Sequence, residues 1–190
     1  THTETGPKKT ILFITPKNSQ HLIAISALRE INQKFGLKLR VADLVGKKHL
    51  CIDESVQQKE GRAFYDMCAK KKKYEACDFY AHSRGHDALQ REKAGIAQKQ
   101  FLTIMNGVFS SAEIKEAAKE FSLGVQPFPL CPYEASLDLA KKADIIIADY
   151  YHVFSPGVSE QVLPKLGKKL EDCILIVDEA HNLPDRIRSL

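Results

Sequence analysis

Short apolar runs punctuate the chain. TILFIT (10–15) is rich in β-branched residues and bounded by Lys and Pro, which predicts a buried strand. Leu22, Ile25, Leu28 and Ile31 follow at helical spacing, with Asn18 or Ser19 placed to cap the helix and Gly36 to stop it. LKLRVADLV (37–45) returns to strand character. Strand, helix and strand in this order predict a βαβ unit in a parallel sheet. Much later, ADIIIADYY (143–151) and CILIVD (173–178) are apolar on consecutive residues. That pattern predicts strands covered by helices on both faces. A helical or turn-rich connection carrying Pro156-Gly157 and Pro164 joins them.

The middle of the chain has another character. Residues 46 to 85 hold few aliphatics, three cysteines, many lysines and several aromatics. Such a stretch cannot build much core by itself, so something else must hold it. Residues 86 to 108 read as helical, and Ser110 with Glu113 forms a capping-box pattern before a helix ending near Gly124. VQPFPLCPYE is a proline-punctuated loop. The expected class is therefore α/β: a sheet in two pieces, separated by a mainly helical, cysteine-bearing insertion.

Composition narrows the field only a little. Hydrophobic content of 44% and charged content of 27% suit an ordinary globular chain. No apolar run approaches the ~20 residues that cross a bilayer. The start, THTETGPKK, lacks the apolar stretch of a secretory signal and reads as a solvated lead-in or the cut end of something longer. The five cysteines are odd in number, which argues against a disulfide framework; the expected setting is intracellular, in cytoplasm or nucleoid, or in the nucleus of a eukaryote. Net charge is +4, but between Arg62 and Lys99 nine Lys/Arg face five Asp/Glu, so positive charge concentrates in the insertion.

Two constellations carry chemistry. The first is ILIVDEAH (174–181), an apolar strand ending in adjacent carboxylates. Ligands of open α/β sheets sit at the carboxyl ends of strands. There Asp178 can hold Mg²⁺ and Glu179 can polarise the water that attacks a γ-phosphate, the form of a Walker B motif of the DEAH type. On that reading His181 couples the nucleotide site to a nucleic-acid site; otherwise it is a packed histidine. No G-x-x-x-x-G-K-[ST] loop occurs in the 190 residues, so the phosphate site is incomplete or its loop lies upstream. The second constellation is Cys51, Cys68, Cys77 and Cys131, separated by 16, 8 and 53 residues. With no C-x-x-C knuckle, spacing leaves three readings open: unrelated thiols, a zinc site or an iron–sulfur cluster. Two details favour a metal centre. The cysteines fall where core-forming residues are scarcest, and Cys131 precedes a proline. Cys173, inside a strand, reads as packing.

KHLC, YDMCAKKKKYEAC, LCPYEASLDLAKKADIIIADYYHVF and ILIVDEAHNL together resemble the iron–sulfur helicases of superfamily 2, the XPD/DinG/FANCJ family, with the XPD branch nearest. The resemblance runs from residue 10 onward, and FITPKNSQH is similar to the family's motif Ia, which contacts single-stranded DNA. It implies a RecA-like motor domain split as 1–45 and 137–190 around a cluster domain at 46–136. It implies a 4Fe–4S cluster on Cys51, Cys68, Cys77 and Cys131, with Mg²⁺ and ATP served by Asp178 and Glu179. It also implies 5′ to 3′ unwinding of DNA in repair, with single-stranded and fork DNA as partners. The stretch would run from just after the family's motif I to just after its motif II, and would not unwind DNA alone. Ser19, Gln20 and the run Lys70, Lys71, Lys72 and Lys73 are the candidate DNA contacts, the lysines by counterion release. Tyr65, Tyr74, Phe79 and Tyr80 interleave with that charge and could stack bases. Competing with this are a metal-stabilised nucleic-acid-binding module without ATPase activity, and a zinc protein with an accidental DEAH.

Overall fold

The computed structural model describes residues 9–188; the expected lead-in over 1–8 lies outside the described residues. In chain order the elements are β1 (Thr10–Thr15), α1 (His21–Phe35), β2 (Val41–Leu44), α2 (Lys47–Leu50), α3 (Glu54–Gln57), α4 (Gly61–Lys73), α5 (Asp78–Arg84), α6 (Ala88–Ile104) and α7 (Ser111–Lys119). There follow the short strands β3 (Ser122–Leu123) and β4 (Gln126–Pro127), then α8 (Pro132–Lys142), β5 (Ile145–Asp149), α9 (Tyr151–Phe154), α10 (Pro156–Leu166), β6 (Cys173–Val177) and α11 (Leu183–Arg188). The sheet order is β2-β5-β1-β6, parallel throughout, with Ile11 beside Ile145 and Thr10 beside Cys173. β3 and β4 form a separate antiparallel pair.

The consecutive aliphatics of β5 are explained by two covered faces. Ile146 and Ala148 join Leu12, Ile14 and Leu44 in one core with Phe101, Ile114 and Phe121. Ile145 and Ile147 point the other way, into a smaller core with Ile25 and Val108. Helices α6, α7 and α8 thus share the larger core with the sheet. Residues 46–85, poor in aliphatics, fold as four short helices that bury only Leu50, Val56, Phe64 and Ser83.

Local signals behave as their chemistry requires. Gly36 ends α1 with φ 61, and Ser110 and Glu113 close a reciprocal capping box on α7. Gly85 turns α5 into α6 at φ +67, where a Cβ would lie 2.3 Å from the Arg91 nitrogen. Neither Asn18 nor Ser19 caps α1. Both lie in a 3₁₀ turn, Asn18–Gln20, and α1 begins at His21 without a side-chain cap. The His21 ring instead bonds Asp43 on β2 at 2.6 Å, and the other oxygen of Asp43 accepts the Ser111 N–H at 2.7 Å. A buried acid is thereby satisfied by a ring and a helix N-terminus.

β6 departs from expectation. It is an edge strand, and Ile174, Leu175 and Ile176 are 48%, 41% and 43% exposed. An apolar run reads the same whether or not its faces are covered. Cys173 is likewise half-buried at the strand's start rather than in a sealed core. Among the described residues no helix is long and apolar enough to cross a membrane.

Candidate functional site

Cys51, Cys68, Cys77 and Cys131 all line one cavity, of about 430 Å³ counted out into its open mouth. Local structure explains how. Cys51 closes α2, Cys77 precedes α5, Cys131 precedes α8, and Cys68 projects from α4. Helix ends converge here because hydrogen bonds tie them: the Cys131 N–H reaches the Phe79 carbonyl at 3.0 Å and the Ser83 hydroxyl at 2.8 Å. Burial pushes the Cys51 and Cys77 thiols up and carries Cys131 up to about 12. Among the described residues no group of three or more His, Cys, Asp or Glu side chains is placed to hold a metal ion. The donor set still suits a thiolate-bound anionic centre. Lys47, Lys71 and Lys72 line the same cavity, and a coordinating metal deprotonates its thiols.

The lysine run is divided by this geometry. Lys71 pairs with Asp53 at 2.6 Å, and Lys72 with Glu134 at 2.8 Å while lying 4.0 Å over the Tyr80 ring. Only Lys70 and Lys73 are exposed, at the end of α4. The aromatics divide similarly. Tyr65 and Tyr74 are exposed, whereas Phe79 lines the cavity.

An ionic clasp joins this lobe to the sheet's helix α8. Arg84 donates to Glu134 at 3.0 Å and to both oxygens of Asp138 at 2.8 and 3.1 Å. Burial would raise the Glu134 carboxyl, but Lys72 and then Arg84 hold it below the usual carboxylate range. Its contribution is therefore present above the ordinary carboxylate pKa and is lost as pH falls through the lowered one. Arg84→Ala leaves the nearly buried Asp138 carboxylate with Lys141 alone. We expect a loss of about 3 kcal/mol, read as a fall of roughly 6–12 °C in thermal midpoint. A fall under about 2 °C would mean the clasp behaves like an exposed surface pair. Sequence reasoning missed Arg84, Glu134 and Asp138, because only the fold brings residues some fifty positions apart together.

Asp178 and Glu179 follow β6 at the carboxyl rim of the sheet, which β1 shares. The Asp178 N–H bonds the Ile14 carbonyl at 2.9 Å. Glu179 is left-handed, with φ 50 and ψ 43, a conformation costing a non-glycine residue ~1–2 kcal/mol. The Tyr150 hydroxyl donates to the Asp178 carbonyl and lies 3.0 Å from that of Glu179. His181 Nδ1 sits 3.3 Å from a Glu179 carboxylate oxygen, and both side chains are accessible. The adjacent carboxylates are open to a divalent cation and water, but no phosphate-cradling glycine loop accompanies them in the sequence. Ser19 is exposed on the same rim, and the side-chain oxygens of Asn18 and Gln20 and the Nε2 of His21 are buried without a hydrogen-bond partner among the described residues.

Comparison with known proteins places this arrangement. The family model DEAD_2 matches residues 14–190. The chain belongs to the DEAD_2 family. It is 31% identical over 153 residues to the ATP-dependent DNA helicase CHL1 of Kluyveromyces lactis, covering 80% of this chain and 17% of that protein. It is 24% identical over 177 residues to the Regulator of telomere elongation helicase 1 homolog of Anopheles gambiae, covering 93% of this chain and 15% of that protein. The DEAD_2 stretch thus spans well under a quarter of these relatives' length. Its fold is similar to a solved structure of a truncated XPD, with TM-score 0.56 and 21% identity over 96% of this chain and 43% of that one. The α/β fold of this DEAD_2 chain, a parallel sheet with flanking helices, is thus similar to that of the truncated XPD.

Proposed function

We propose that this DEAD_2 stretch is part of an ATP-driven DNA helicase in which a cysteine-held iron–sulfur lobe is clamped to the sheet that hydrolyses ATP. One observation carries the reading. Four cysteines far apart in sequence line one cavity, and Cys131 leads directly into α8 and β5 of the sheet that ends in Asp178 and Glu179. The functional division we propose is 1–45 and 137–190 for the motor and 46–136 for the lobe.

Asp178 is the residue to hold Mg²⁺, and Glu179 the base that orients water and accepts its proton. His181, beside Glu179, links that carboxylate to the DNA-facing rim. Bound Mg²⁺ and ATP supply the phosphoryl group and the charge neutralisation for its transfer. Cys51, Cys68, Cys77 and Cys131 are the residues to hold a 4Fe–4S cluster, which supplies a rigid cross-link between distant segments. All four thiols line one cavity together with three lysines, and metal and sulfide content separates a multi-iron body from zinc, whose sulfurs lie about 2.3 Å from a single ion. Lys71 and Lys72 balance thiolate charge. Lys70 and Lys73 are the lysines free to meet phosphates of single-stranded or fork DNA, with Ser19 and Gln20 contributing at the rim. The role is intracellular, at sites of DNA repair.

The test is iron and acid-labile sulfide in anaerobically purified chain. About four of each per chain is the expected result. Zinc without sulfide would overturn the iron assignment in favour of a zinc-stabilised nucleic-acid module.

A further inference from the structure

Glu179 shares a positive φ with only one other described non-glycine residue, Glu75. A strained backbone persists where surrounding structure over-determines it. Here the surroundings can be named. Tyr150 follows β5 directly and is 3% exposed. Its N–H bonds the Thr15 carbonyl at 3.0 Å, and its ring packs edge-on against Phe154 at 6.2 Å. Its hydroxyl is directed at two successive main-chain carbonyls, those of Asp178 and Glu179. The Asp178 N–H is held by Ile14, so the chain is fixed on both sides of the Asp178 carboxylate and at the outgoing peptide of Glu179. Meanwhile the Glu179 side chain remains accessible. The backbone is pinned and the carboxylate is left free.

We propose that Tyr150 is a positioning residue for the hydrolytic carboxylates, its buried hydroxyl locking the Asp178 and Glu179 peptides so that Glu179 faces the attacking water. This rests on Glu179 acting as the base. The ring supplies packing and the hydroxyl supplies aim, so the two contributions separate by substitution. Tyr150→Phe keeps the ring and removes the only side-chain donor that either carbonyl receives among the described residues. Without it the Glu179 peptide can relax towards right-handed geometry and turn its carboxylate away.

The experiment uses the full-length protein with saturating single-stranded DNA. Tyr150→Phe should lower kcat for ATP about tenfold, ~1.4 kcal/mol of barrier, with KM for ATP within about twofold and a thermal midpoint within ~2 °C of the parent. Phe154→Leu, which disturbs only the ring's packing, should lower the midpoint while leaving kcat within about twofold. Unchanged kcat in Tyr150→Phe overturns the proposal. So does an equal kcat loss in Phe154→Leu, because packing alone would then explain it. Glu179→Gln is measured alongside. If it keeps full turnover, the base assignment falls and takes this inference with it; if it loses turnover while Tyr150→Phe does not, only Tyr150 is overturned.

Discussion

Replacing Glu179 by Gln in the full-length protein is expected to reduce ATP turnover roughly 10³-fold, within the 10²–10⁴ range of general-base catalysis, while ATP binding stays within about twofold. The substitution isolates proton acceptance. Glutamine has the same length and shape, and the left-handed backbone at φ 50 is secured through carbonyl and N–H groups that it does not alter. The amide can still orient a water but cannot take its proton. The neighbouring Asp178 keeps its carboxylate, so on the proposed assignment metal and nucleotide binding is expected to persist. Phosphate release at saturating DNA, set beside nucleotide binding under the same conditions, gives both quantities. Turnover above about one-tenth of the parent's would remove Glu179 from the role of base.

The second large effect is expected at Cys131. Cys131→Ser should lower iron from about four per chain to below one, and should cost the lobe its thermal transition while part of the DNA-stimulated ATPase survives. Serine is a good helix N-cap, so the start of α8 is preserved or improved. The main-chain bonds from Cys131 to Phe79 and Ser83 do not involve the side chain at all. What the variant loses is sulfur, in a thiol that burial carries up to about 12. The α2 to α5 part of the lobe has little else to fall back on, since it buries so few large apolar side chains. Cys173→Ser is the matched control. That residue stands on β6, away from the cavity, and iron should not change. Unaltered iron in Cys131→Ser would take this cysteine out of the ligand set.

Some of this architecture could be read along the chain and some could not, for physical reasons. β1, β2 and β5 announce themselves because two covered faces demand consecutive aliphatics, whereas the helical period of α1 is only partly matched by burial, with Ile25 in the core and Leu22 and Ile31 exposed. The Ser110–Glu113 box is local chemistry, readable within four residues. The exposure of β6 was not readable, because an apolar run does not state how many neighbours it has. Nor was the fate of the lysines. A run of four looks uniformly solvated, yet helical geometry turns Lys71 and Lys72 towards Asp53 and Glu134 and leaves Lys70 and Lys73 outside. The cysteines could be nominated by type but not assembled, since their meeting depends on α8 lying against α5. Tyr150 stood inside a readable strand motif, yet its hydroxyl's target lies 28 residues further on.

The bare flank of β6 bears on the chemistry at its tip. Each alternate amide and carbonyl on that side faces away from β1, and the described residues offer no second ribbon to receive it. The acidic pair accordingly sits at the border of the sheet, where the Glu179 side chain is accessible and water softens the field around it. Laying one more parallel ribbon along that margin would shift the pair from border to interior without moving a single atom of β6, sheltering Ile174 and Ile176 in the same act. Whatever occupied that flank would therefore help to set solvent access to the proposed hydrolytic carboxylates, together with the loop that bears them.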